Sequence, residues 1–154
     1  MFESLYGEGE LFEQSVIMIK PQTFMNLSGK SVRKWLQFYK VAPQDMVVLH
    51  DDIDMIEGTV KTKKGGGHGG NNGIRSIMDE TGQSDFFRIK LGIGRPEQVN
   101  EEEKTDTVTN WVLGSFNEDQ IARLKSDMFQ ETMLRLQEIF RQGQQKNSKG
   151  DTRA

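Results

Sequence analysis

At 154 residues, 34% hydrophobic and without a cysteine, the chain has room for one domain with a modest core and none for a disulfide framework or thiolate chemistry. No run approaches the roughly 20 apolar residues of a membrane span, and the opening MFESLYGEGE has no signal-peptide pattern, so a cytoplasmic protein with no membrane partner is expected. The net charge of −3 argues against indiscriminate nucleic-acid binding, yet residues 59–95 hold seven basic and three acidic residues while 96–140 hold four and ten, which describes either a local phosphate-binding patch or two ordinary solvated faces.

In chain order, the first fourteen residues are polar and offer no interior strand. SVIMIK (15–20) is a short apolar run that predicts a strand ending at Pro21. In SGKSVRKWLQFYK (28–40), Val32, Trp35, Leu36 and Tyr39 fall at helical spacing, with Ser28 as a possible cap. MVVLHDDID (46–54) predicts a buried strand running into acidic residues, and TVKTKK (59–64) a strand with one wet face. The loop GGGHGGNNG (65–73) follows, and Asn71 or Asn72 would cap a helix through IRSIMDE. FFRIKLGIG (86–94) is a further strand, and TVTNWVLGSF (107–116) is ambiguous. From 117 to 142 the pattern is helical through Ile121, Leu124, Met128, Leu136 and Phe140, and the polar residues 143–154 are expected to be a disordered tail. Strands alternating with helices predict an α/β layered fold.

Three stretches have the residue types for chemistry. The glycine loop can bring backbone N–H groups close to phosphates, but it lacks the Lys-Ser/Thr ending of a P-loop and the spacing of a dinucleotide fingerprint. HDDID (50–54) lies at a strand end, where its carboxylates could hold magnesium, orient a histidine, or form a plain acidic turn. Alternation puts Asp51 on one strand face and His50 with Asp52 on the other. In PQTFMNLSG (21–29), the Asn26 carboxamide can donate and accept, as a peptide or ester carbonyl requires, or can bond its own backbone.

The order of motifs is more specific than any one of them. TFMNLSGKSV, a strand ending HDDID, a basic strand, GGGHGGNNGIRSI, FFRIKLGIGRP and then VLGSF together resemble the bacterial peptidyl-tRNA hydrolase family, from about Val16 to Phe116. The resemblance implies a three-layer α/β/α sandwich with a mixed, largely parallel sheet. It implies hydrolysis of the ester between a peptidyl group and tRNA by base-activated water, with no metal, cofactor or covalent intermediate, in a monomer. Asp51 would orient the catalytic histidine, and Asn72 would bind the water or the carbonyl oxygen. Asn26 would contact the substrate near the scissile bond, with Met25 alongside. Gly69 and Gly70 would let backbone approach the tRNA acceptor end, next to Asn71, which stands where the family usually has histidine. Lys61, Lys63, Lys64, Arg75 and Arg95 would be phosphate contacts, Arg75 first among them.

The family opens with a strand, a glycine-asparagine-proline loop and a segment bearing the catalytic histidine, and none of these matches the 154 residues. His50 and His68 do not match the catalytic position. The expectation is therefore a domain over 1–142 lacking its first strand, N-terminally incomplete, impaired in activity and poorly stable alone, because a general base contributes about 10²–10⁴ in rate. Two other readings compete with the esterase: a non-catalytic RNA-binding relative, and a protein that binds nucleoside triphosphate and magnesium through the glycine loop and the HDD carboxylates.

Overall fold

A computed structural model describes residues 1–95 and 118–151. The fold is α/β, and the chain divides into two compact units, Met1–Val48 with Lys64–Phe87, and Leu49–Lys63 with Arg88–Ala154. The strands are β1 (Ser4–Leu11), β2 (Gln14–Pro21), β3 (Val47–Asp52), β4 (Val60–Lys64) and β5 (Phe87–Gly92). The helices are α1 (Ser28–Tyr39), α2 (Asn72–Thr81), α3 (Glu118–Arg123) and α4 (Phe129–Asp151).

The first unit opens with a hairpin whose first strand lies in the polar first fourteen residues; it pairs in a separate two-stranded sheet and is not an interior strand. β1 pairs antiparallel with β2 from Ser4 opposite Pro21 to Leu11 opposite Gln14, leaving Phe12 and Glu13 as a two-residue turn. Both turn residues have positive φ (51° and 65°), as the right-handed twist of a tight hairpin demands. β1 is mostly exposed, so burial put no alternating apolar pattern into its sequence.

After β2, a 3₁₀ turn, Met25–Leu27, runs directly into α1. Ser28 is therefore not the cap: its hydroxyl donates back to the Met25 carbonyl at 2.8 Å, and Leu27, which has no capping side chain, precedes the helix. α1 ends in a Schellman-type closure, with Lys40 at φ 53° and the Val41 N–H bonded to the Leu36 carbonyl at 2.9 Å. α1 packs on α2 through small residues. A Cβ on Gly29 would fall on the Ser76 carbonyl, and the Gly29 N–H donates to Ser76 Oγ at 2.9 Å. Beside this contact Val32, Ile74, Ile77 and Phe86 form a buried cluster, with Ile19, Leu36, Met46, Val48 and Met78 packed around it. Arg33 and Glu80 close the exposed side at 3.1 Å.

The second unit is organised on the three-stranded sheet, order β3-β5-β4. The sheet is mixed. The Ile93 N–H, just past β5, donates to Asp52 at the end of β3, so these two strands run in the same sense. β4 runs against β5: Gly58 donates to Gly92 at one end and Gly65 to Phe86 at the other. The helical reading over 117–142 holds for the described residues from Glu118 on, with a π-helical segment, Leu124–Met128, joining α3 to α4. Met128 and Ile139 are buried, whereas Ile121, read as apolar-face, is exposed. α4 runs from Phe129 to Asp151, into the polar residues 143–154. Extending a formed helix costs far less than nucleating one, and no proline stops it. The ambiguous segment 107–116, with VLGSF, lies outside the described residues.

Candidate functional site

In the first unit the glycine loop ends in a turn locked at main chain and side chain alike. The Asn71 N–H donates to the His68 carbonyl at 3.0 Å, around central residues Gly69 (φ 59°) and Gly70 (φ 80°). Two consecutive positive φ angles are cheap only for glycine. The Gly70 N–H donates to His68 Nδ1, also at 3.0 Å. Asn71 is then the N-cap of α2: its Oδ1 accepts the Ile74 N–H at 3.0 Å. Of the two asparagines offered by the sequence, Asn71 caps, and Asn72 becomes the first helical residue with its side chain exposed.

Gly73 sets what lies beside this helix start. A Cβ there would sit 3.2 Å from Met25 Cγ and 3.3 Å from Asn71 Oδ1. Its absence lets the Met25–Leu27 turn rest on the first turn of α2. That turn holds Asn26, also exposed. The structure thus brings Met25, Asn26, Gly69, Gly70, Asn71 and Asn72 together. The helix nearby carries Arg75, exposed and 3.9 Å from Asp79. Lys64 is held over the Phe87 ring, 5.1 Å from its centroid.

The second unit carries the acidic strand end. His50 Nδ1 donates to the Asp51 carbonyl at 2.9 Å, while its Nε2 is buried with no hydrogen-bond partner among the described residues. Burial lowers the His50 ring below the usual imidazole range; the bond to the Asp51 carbonyl opposes this and the charge of Arg88 reinforces it. Burial also raises the Asp51 carboxyl, against the pull of its own backbone N–H and of His50. Asp52 is pushed up by burial, but its bond to Lys90 and the Asp54 N–H outweigh that and leave it below the usual range. Asp52 meets Lys90, across the β3–β5 pair, at 3.0 Å.

These pairings speak against the magnesium reading. Asp52 is committed to Lys90 and Asp54 to Arg95, and no group of three metal-ligating side chains forms among the described residues. Arg95 is by the same token a neutralised phosphate candidate, whereas Lys61 and Lys63 stand exposed on edge strand β4. Sequence reasoning missed Gly73 and Gly29, whose work is close packing. The available signal was glycine in the first two turns of a predicted helix, where it costs stability and so calls for a reason.

No helix among the described residues is long and apolar enough to cross a membrane. The family model for peptidyl-tRNA hydrolase matches residues 1–152. A peptidyl-tRNA hydrolase of Pelobacter propionicus is 50% identical over 123 residues, 80% of this chain and 60% of its own length. One of Geobacter sulfurreducens is 45% identical over the same shares. The crystal structure of peptidyl-tRNA hydrolase from Acinetobacter baumannii superposes with a TM-score of 0.68 at 35% identity, again covering 80% of this chain and 60% of that one. The chain thus spans about 60% of the length of the relatives it matches.

Proposed function

The chain belongs to the peptidyl-tRNA hydrolase family, and from that premise we propose that it recognises the ester joining a peptidyl or N-blocked aminoacyl group to tRNA and serves its hydrolysis by water. The observation that carries this reading is the pair of exposed carboxamides, Asn26 and Asn72, without hydrogen-bond partners among the described residues, on elements that Met25 and Gly73 let pack together. Asn72 is assigned to the attacking water or the carbonyl oxygen, where a donor aimed at developing charge is worth most. Asn26 and Met25 take the peptide side of the scissile bond, and Gly69 and Gly70 the acceptor end. Asn71 has only its amide N–H₂ left for substrate, because its oxygen caps α2. Asp51 is the carboxylate that orients an imidazole, and Lys61, Lys63 and Arg75 meet phosphates. The partner is peptidyl-tRNA, met in the cytoplasm by a monomer without a cofactor.

A second reading, a tRNA-binding relative without catalysis, is favoured by one observation. Neither histidine of the chain is disposed to act as base: His50 donates its Nδ1 proton to a backbone carbonyl and buries Nε2, and the Nδ1 lone pair of His68 is taken by Gly70. Incubating the 154-residue protein with N-acetyl-aminoacyl-tRNA separates the two. Hydrolysis that falls about 10²–10³-fold in Asn72→Ala, with tRNA still bound, supports the esterase. Binding without hydrolysis selects the second reading, and no binding overturns both.

A further inference from the structure

We infer that His68 is a substrate-binding residue, its Nε2–H donating a hydrogen bond to an oxygen at the junction between the acyl group and the RNA 3′ end. The inference rests on the function proposed above and adds to it a residue that the family resemblance leaves without a role.

A backbone N–H can only donate, so the 3.0 Å bond from Gly70 fixes His68 Nδ1 as an acceptor. The neutral ring then carries its proton on Nε2, on the side away from its anchor. The His68 carbonyl is held as well, by the Asn71 N–H, so the residue is fixed through both backbone and ring in a turn that two positive-φ glycines shape. The ring is exposed, and it is the single side chain longer than a hydrogen in residues 65–70. A turn that needed only closure has it already from the Asn71-to-His68 bond. The further bond to the ring selects one tautomer and one orientation, which is what a donor needs if its ordering is not to be charged against binding. The same turn leads through Asn71 into Asn72, so the His68 donor and the Asn72 carboxamide belong to one end of α2. The arrangement also rules out His68 as the general base, since its one free nitrogen already bears the proton.

The two nitrogens can be separated by substitution. In His68→Asn the side-chain oxygen takes the place of Nδ1 and keeps the bond to Gly70, but nothing reaches the position of Nε2. In His68→Gln an amide N–H₂ reaches that position and the anchor is lost. The probe is an acceptor-stem RNA hairpin whose terminal ribose carries an N-acetyl-aminoacyl group through a hydrolysis-resistant amide, beside the same hairpin unacylated. His68→Asn and His68→Ala are expected to bind about 3- to 10-fold more weakly, the worth of one hydrogen bond, and His68→Gln within about 2-fold of the parent. The Ile74 amide signal should stay in place in all three, reporting an intact α2 cap. A loss seen with both hairpins assigns the acceptor to an RNA oxygen, and a loss confined to the acylated one assigns it to the acyl carbonyl. If His68→Asn binds like the parent while His68→Gln falls with His68→Ala, the ring serves only the turn and the inference is overturned. Equal binding by all variants overturns it too, with the proposed function standing. A parent protein that binds neither hairpin overturns both.

Discussion

Asn71 shows how one side-chain atom divides its use. Its Oδ1 satisfies the Ile74 N–H, one of the N–H groups a helix start leaves unpaired, and asparagine is among the best residues for that task. The carboxamide oxygen of Asn71 thus serves the helix as a cap. Asn71→Ala is expected to lower stability by about 1 kcal/mol in urea unfolding, with Asn71→Asp close to the parent. An alanine variant as stable as the parent would mean that water caps α2 equally well. His50 makes a residue-scale prediction of another kind. Its folded pKa lies below the value near 6.5 of an unfolded imidazole, chiefly through burial. Below about pH 6.5 the unfolded chain binds the extra proton, so the His50 contribution is fully present above that pH and is lost as pH falls through the folded value. The slope for one proton is at most about 1.4 kcal/mol per pH unit. Asp51, raised by burial, acts in the opposite sense: its contribution is fully present below about pH 3.9 and is lost as pH rises through its folded value. The urea midpoint should thus drop between pH 7.5 and 5.5, and His50→Asn should flatten that drop. An equally steep drop in the variant places the titration elsewhere.

Among the elements, the contact of α1 with α2 depends on a missing methyl. Gly29→Ala would put Cβ onto the Ser76 carbonyl, a backbone atom that cannot swing aside as a side chain would. The two helices would have to part, with loss of the Gly29-to-Ser76 bond and loosening of Val32 on Ile74 and Ile77. A destabilisation of about 1–3 kcal/mol is expected in thermal or urea unfolding, despite alanine's better helix propensity. A gain in stability would show that the approach is looser than the structure has it. This contact was not legible in the sequence, because glycine there carries no periodic signal. What was legible follows from burial: α1 and α2 each bury one face, through Val32 and Trp35 and through Ile74 and Ile77, and that face wrote a helical pattern, while β2 to β5 showed as short apolar or alternating runs. β1 buries little and turns through Phe12 and Glu13 instead of the glycine or asparagine that usually marks a hairpin. The candidate site was readable as motifs, since Met25-Asn26 and Asn71-Asn72 are contiguous pairs. Which asparagine caps and which stays exposed is a matter of backbone geometry that residue type alone does not decide. The tautomer of His68 likewise depends on a bond to Gly70 that only the turn creates.

For the whole molecule, the question is how an acidic chain would hold RNA. A net charge of −3 gives no general attraction to phosphate, so affinity must come from a few placed cations. Pairing thins the basic stretch read from the sequence: Arg95 answers Asp54, Lys90 answers Asp52, and Lys64 lies on Phe87. Within that stretch, Lys61 and Lys63, exposed on an edge strand, and Arg75, only loosely near Asp79, are placed to displace counterions. Binding of tRNA should fall with salt on a slope in a log–log plot set by the number of phosphates neutralised. Replacing Lys61 and Lys63 together by alanine should flatten that slope by roughly 0.7–0.9 for each phosphate that is no longer neutralised. Asn72→Ala should leave the slope alone, because a carboxamide releases no counterion, while it lowers any ester hydrolysis. If instead the lysine substitutions leave the slope unchanged, the phosphates are met elsewhere on the chain, and the basic stretch is a solvated face and nothing more.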